Sequence, residues 1–112
     1  MKRQVLFIGY DSVIQDEISE FLRDRGGRAW FSDTSDRSIR FLEEHPINVV
    51  VLSMHSLSDA SIIHYINSNF PHIQVIVSTN PEYEEIIAVL SKRNFLLLHQ
   101  PLKLKELGGF IE

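Results

Sequence analysis

Short apolar runs alternate along the chain with stretches whose apolar residues recur every three or four positions. The firmest run is Asn48 to Leu52, where four apolar residues, three of them β-branched, stand between a polar entry and the polar exit Ser53. Unbroken apolarity over so few residues predicts a strand buried on both faces. Val5 to Ile8, Ile73 to Val77 and Phe95 to Leu98 repeat the pattern, and Arg28 to Phe31 is a weaker, more polar version suited to a sheet edge.

Between the runs the spacing turns helical. Ile14, Ile18, Phe21 and Leu22 give a first helix one apolar face. Ser12 with Gln15 has capping-box spacing, so this helix is expected to start near Val13 and to end at Gly26 and Gly27. A second helix should follow Ser35 and reach about Glu44, with Ile39, Phe41 and Leu42 inward and His45-Pro46 stopping it. Ile62, Ile63 and Ile66 mark a third, ending near Asn69. Asn80 and Pro81 open a fourth, with Glu82, Glu84 and Glu85 at its start, Ile86, Ile87 and Leu90 buried, and Lys92-Arg93-Asn94 at its end. Leu104, Leu107 and Ile111 suggest a last helix that Gly108 and Gly109 weaken.

Strands separated by helices imply right-handed crossovers and a parallel sheet covered on both faces. The expectation is an α/β, flavodoxin-like doubly wound domain over residues 1–112, strand order 2-1-3-4-5, with Asn48 to Leu52 central. Ser53 then falls at the carboxyl end of the central strand, where such sheets place their ligands.

Composition narrows the options. With 44% hydrophobic residues the chain can bury a core, which excludes a disordered segment. No apolar run approaches the roughly 20 residues of a membrane helix, and the first residues lack a signal-peptide cleavage pattern. The absence of cysteine excludes disulfides and thiolate metal sites, and fits a cytoplasmic location. Net charge is -4, and Asp24 interrupts the basic residues Arg23, Arg25 and Arg28, so nucleic-acid binding is not expected.

The candidate chemistry is thin. Ser53, His99 and Asp11 have the residue types of an acyl-transfer set, but the G-x-S-x-G elbow is absent. His55, His99 and Asp11 show no close metal-ligand spacing. The five glycines form neither G-x-G-x-x-G nor a P-loop, and Tyr10 and Trp30 read as packing rather than as a platform for a flat ligand. No cofactor, metal or enzymatic activity is expected.

Val5 to Ile8, Asn48 to Leu52, Val75 to Thr79 and His99-Gln100-Pro101, in this order and spacing, resemble the receiver domain of bacterial two-component response regulators. The resemblance runs essentially the whole length and implies protein partners in a signalling pathway. It also implies that the family's acidic pair falls on Gly9 and Tyr10, its phosphoacceptor aspartate on Ser53, its lysine on Gln100 and its aromatic switch residue on Leu97. Thr79 is taken as the family's hydroxyl residue of strand four, and Asp11 remains as one acid beside the site.

Receiver chemistry moves a phosphoryl group onto a carboxylate with help from Mg²⁺, which needs hard oxygen ligands. Here the charged positions are neutral together, so the chain is read as a degenerate receiver that signals by protein–protein contact. The expected interaction face carries Glu84, Lys92, Arg93, Leu97, Lys103 and Lys105. A short last helix is expected to leave apolar surface of the first helix and fifth strand uncovered, favouring self-association or docking within a longer regulator. The alternative is a phosphorylation- or effector-responsive receiver with an altered acceptor, controlling an attached output domain.

Overall fold

A computed structural model describes residues 3–33, 35–55, 60–80, 82–83 and 95–111, apart from the side chains of Ser35, Ala60 and His99. Five strands form one parallel sheet: β1 (Gln4–Ile8), β2 (Arg28–Ser32), β3 (Val49–Ser53), β4 (Gln74–Thr79) and β5 (Phe95–His99). Their order is β2-β1-β3-β4-β5, as the alternating pattern implies. The helices are α1 (Ser12–Arg23), α2 (Ser35–Glu44), α3 (Ala60–Asn69) and α4 (Leu104–Ile111). The helix expected from Asn80 onward lies outside the described residues beyond a helical turn at Glu82 and Tyr83, and so do Glu84, Lys92 and Arg93 of the expected interaction face. No helix among the described residues is long and apolar enough to cross a membrane.

Alternation along the strands divides the core into two layers. Val5, Phe7, Val49, Val51, Ile76 and Leu98 face Ile18 and Leu22 of α1 and Leu107 and Ile111 of α4. Leu6, Ile8, Val50, Leu52, Val75 and Val77 face Leu42 of α2 and Ile62, Ile63 and Ile66 of α3. Every residue of β3 is buried, which explains its unbroken apolar run.

Two local expectations are corrected. The cap of α1 is Asp11 rather than Ser12: its Oδ1 accepts from the backbone N–H of Val13 (3.1 Å) and Ile14 (3.3 Å). Gln15 therefore does not close a capping box, and its amide donates to the Tyr10 carbonyl at 3.0 Å.

The second correction concerns α4, which does not leave the α1 layer bare. Leu107 and Ile111 are buried against it, and the only large apolar side chains exposed among the described residues are Val13, Leu97 and Phe110. The glycine pair explains how so short a helix fits. A Cβ on Gly108 would stand 2.9 Å from the Phe21 ring, whereas one on Gly109 meets nothing within 4 Å. The two alanine substitutions should therefore differ in sign. Gly109→Ala is expected to stabilise by up to about 1 kcal/mol through helix propensity. Gly108→Ala sets that gain against an overpacking cost of about 1–3 kcal/mol and is expected to be a net loss. Urea midpoints of the two variants decide this.

Candidate functional site

The carboxyl ends of β1, β3, β4 and β5 surround a cavity of about 580 Å³. Gly9, Tyr10, Asp11, Ser53 and Gln100 line it, so the structure brings these site residues together. Thr79 is not among the lining residues, and the assignment of the strand-four hydroxyl to it is corrected. Adjacent residues of a strand point to opposite faces, and Ser78, paired in register with Ser53, takes the cavity side. The Thr79 hydroxyl instead donates to the Asn80 carbonyl at 3.4 Å. The pair Ser78-Thr79 does not say by itself which hydroxyl faces the cavity; the strand register does.

The floor is held by uncharged hydrogen bonds. Tyr10 Oη and Ser78 Oγ are 2.9 Å apart. The Gln100 amide nitrogen faces three acceptors, Ser53 Oγ and the carbonyls of Met54 and Ser78, each at 3.3 Å. It shares two hydrogens among them, tying the ends of β3 and β4 to the residue after β5. The Gln100–Pro101 peptide is cis. Burial pushes the Tyr10 phenol up to about 12, against a smaller lowering by its bond to Ser78.

Gly9 adopts φ +87°, and a Cβ there would stand 3.0 Å from the Ser53 carbonyl oxygen. Its own carbonyl accepts a hydrogen bond from His55 Nε2 at 2.9 Å. His55 therefore clasps the β1–α1 loop to the loop after β3, a role that residue type and spacing did not reveal. Among the described residues Asp11 is the only carboxylate lining the cavity, and it is engaged in capping α1. Among the described residues no three His, Cys, Asp or Glu side chains come together as metal ligands. The side chain of His99, considered for acyl transfer and for metal binding, lies outside the described residues.

Of the expected interaction face, Leu97 on β5 and Lys103 and Lys105 near α4 are exposed. Trp30, at the β2 edge, is packed rather than open to a flat ligand. His45 stacks on it at 4.1 Å between ring centroids, the Arg28 guanidinium lies over it at 4.1 Å, and its indole N–H donates to Gln4.

No family model matches the chain, and no curated protein matches it. Solved structures do. A response regulator receiver domain protein from Clostridium thermocellum superposes with a TM-score of 0.79 at 26% identity, covering 97% of this chain and 90% of that one. An orphan response regulator of H. pylori gives 0.81 at 24% identity, covering 97% and 92%. A response regulator from Thermotoga maritima gives 0.84 at 16% identity, covering 99% and 95%. The fold is thus that of response-regulator receiver domains over nearly the whole chain.

Proposed function

We propose that the chain is a degenerate receiver, a signalling module that acts through protein–protein contacts and whose pocket takes up neither Mg²⁺ nor a phosphoryl group. The observation that carries this reading is the uncharged floor. A phenol and a glycine stand where the resemblance implies two carboxylates, a hydroxyl stands at the acceptor position, and an amide stands where it implies an ammonium. Magnesium asks for carboxylate oxygen, and phosphoryl transfer asks for cations around the equatorial oxygens. Neither is supplied by Gly9, Tyr10, Ser53, Ser78 and Gln100.

The hydrogen bonds add to the argument. An amide bridging three oxygens and a phenol paired to a hydroxyl make a neutral network. Inserting a dianion there would break those bonds without a compensating cation, which is costly in a half-buried site. Information would then pass through the outer surface, where Leu97, Lys103 and Lys105 are exposed. Partners would be proteins of a signalling pathway, a second copy of the chain among them. We read residues 1–112 as one such domain, acting in the cytoplasm.

The test is chemical. Incubation with acetyl phosphate and Mg²⁺, read by intact mass, is expected to leave the protein unmodified. The variant Ser53→Asp should behave the same, because the new carboxylate meets no metal site and no ammonium. A mass gain of one phosphoryl group on the unaltered protein would favour the altered-acceptor reading and remove this one.

A further inference from the structure

The cavity with this uncharged floor is nevertheless large, open and chemically unspent. Its volume of about 580 Å³ lies in the range of small-molecule sites. Around the mouth stand Val13, Ile14, Pro101 and Leu102, with the Tyr10 ring beside them. Val13, on the first turn of α1, is 83% exposed. An apolar side of the lining thus adjoins the polar floor, with Asp11, His55 and Asn80 completing it.

The floor has hydrogen-bond donors to spare. Ser53, only 7% exposed, accepts from Gln100, and among the described residues its own hydroxyl hydrogen meets no acceptor. Tyr10 and Ser78 share one hydrogen bond between two hydroxyls, so one further hydrogen remains available there. Among the described residues no ammonium or guanidinium lines the cavity, and the one carboxylate there, Asp11, caps α1. Donors without positive charge suit a neutral acceptor oxygen, since an anion would lose its hydration and gain no counter-ion.

We propose that this cavity binds a small uncharged molecule that carries a carbonyl oxygen on a compact apolar body, an amide or ester rather than a carboxylate or phosphate. The carbonyl oxygen accepts from Ser53 and from the Tyr10–Ser78 pair, and the apolar body lies against Val13, Ile14, Pro101 and Leu102. The inference rests on the uncharged-pocket reading above and adds to it the class of ligand that the same site selects.

Benzamide and benzoate are matched probes: they share a ring and a carbonyl and differ in charge. Each is titrated into the full chain and followed by amide nitrogen–proton correlation spectra. Benzamide is expected to give saturable shifts at Tyr10, Ser53, Ser78 and Gln100, with benzoate at least about tenfold weaker. Ser53→Ala should weaken benzamide about five- to tenfold, the worth of one hydrogen bond. Val13→Asp, at a position too exposed to affect folding, should weaken it several-fold by making the wall polar. Absence of saturable shifts with benzamide, or equal binding of benzoate, would overturn the inference while leaving the uncharged-pocket reading intact. A third titration with beryllofluoride and Mg²⁺ separates the two failures: saturable shifts there would overturn the reading itself and the inference with it.

Discussion

Replacing Gly9 by aspartate is expected to destabilise the domain by roughly 2–5 kcal/mol and to create no magnesium site. The backbone at Gly9 is left-handed, at φ +87°, which costs a residue with a Cβ about 1–2 kcal/mol. The added Cβ would also stand 3.0 Å from a backbone oxygen, that of Ser53, which cannot swing away as a flexible side chain could. Forcing the strand ends apart adds an overpacking cost of about 1–3 kcal/mol. The clasp from His55 to the Gly9 carbonyl holds the loop in this conformation, so relaxing the strain means giving up that bond. Gly9→Ala isolates the steric part, since it carries the backbone and packing costs without a charge. Urea denaturation of both variants measures the effect. A Gly9→Asp variant as stable as the parent would show that the loop can reopen and that one substitution could return a carboxylate to the pocket.

The second large effect is alkaline. The Tyr10 phenol is pushed up to about 12, against an ordinary value of about 10, because burial penalises its anion. A folded-state value above the unfolded one means that the folded state holds its proton longer. The stability contributed by the neutral phenol is therefore complete below pH about 10 and is lost as pH rises from about 10 to about 12. Two pH units correspond to about 2.7 kcal/mol as an upper bound. Tyr10→Phe removes this slope and, by depriving the Ser78 hydroxyl of a partner, costs about 1 kcal/mol near neutral pH. The stabilities of parent and variant should converge and then cross as pH rises. Parallel curves across that window would show that the phenol ionises freely and is not sealed into the floor.

The order of strands and helices was legible because it rests on strong, redundant signals. The apolar run of β3 and the helical spacing of Ile14, Ile18, Phe21 and Leu22 each bury a whole face, so misplacing either would expose it. Boundaries were less legible. Ser12 and Asp11 are both good capping residues, and it is Asp11 that holds the extended backbone of a cap while Ser12 is already helical. The covering of the α1 layer is hidden from the sequence for a related reason. Paired glycines weaken a helix in isolation, yet here one of them admits the Phe21 ring, a contact between residues far apart in sequence.

At the site, the positions of Gly9, Tyr10, Ser53 and Gln100 could be assigned from their places at strand ends. What they do there could not. The three-way bridge of Gln100 depends on the register of β3 against β4, and the pairing of Tyr10 with Ser78 joins residues 68 apart. Ser78 and Thr79 are both hydroxyl residues at the end of one strand, so residue type does not tell them apart. The role of His55 was hidden because its partner is a backbone carbonyl, which leaves no mark in the sequence.

The most direct measurement is a titration of the protein with Mg²⁺ alone, followed through the backbone amides of Tyr10, Ser53 and Gln100. A floor without carboxylates should leave those signals unmoved at millimolar metal and leave the thermal midpoint unchanged. Saturable, site-confined shifts accompanied by a rise in the midpoint would mean that Asp11 leaves its helix cap to hold the ion, and the uncharged-pocket account would be wrong.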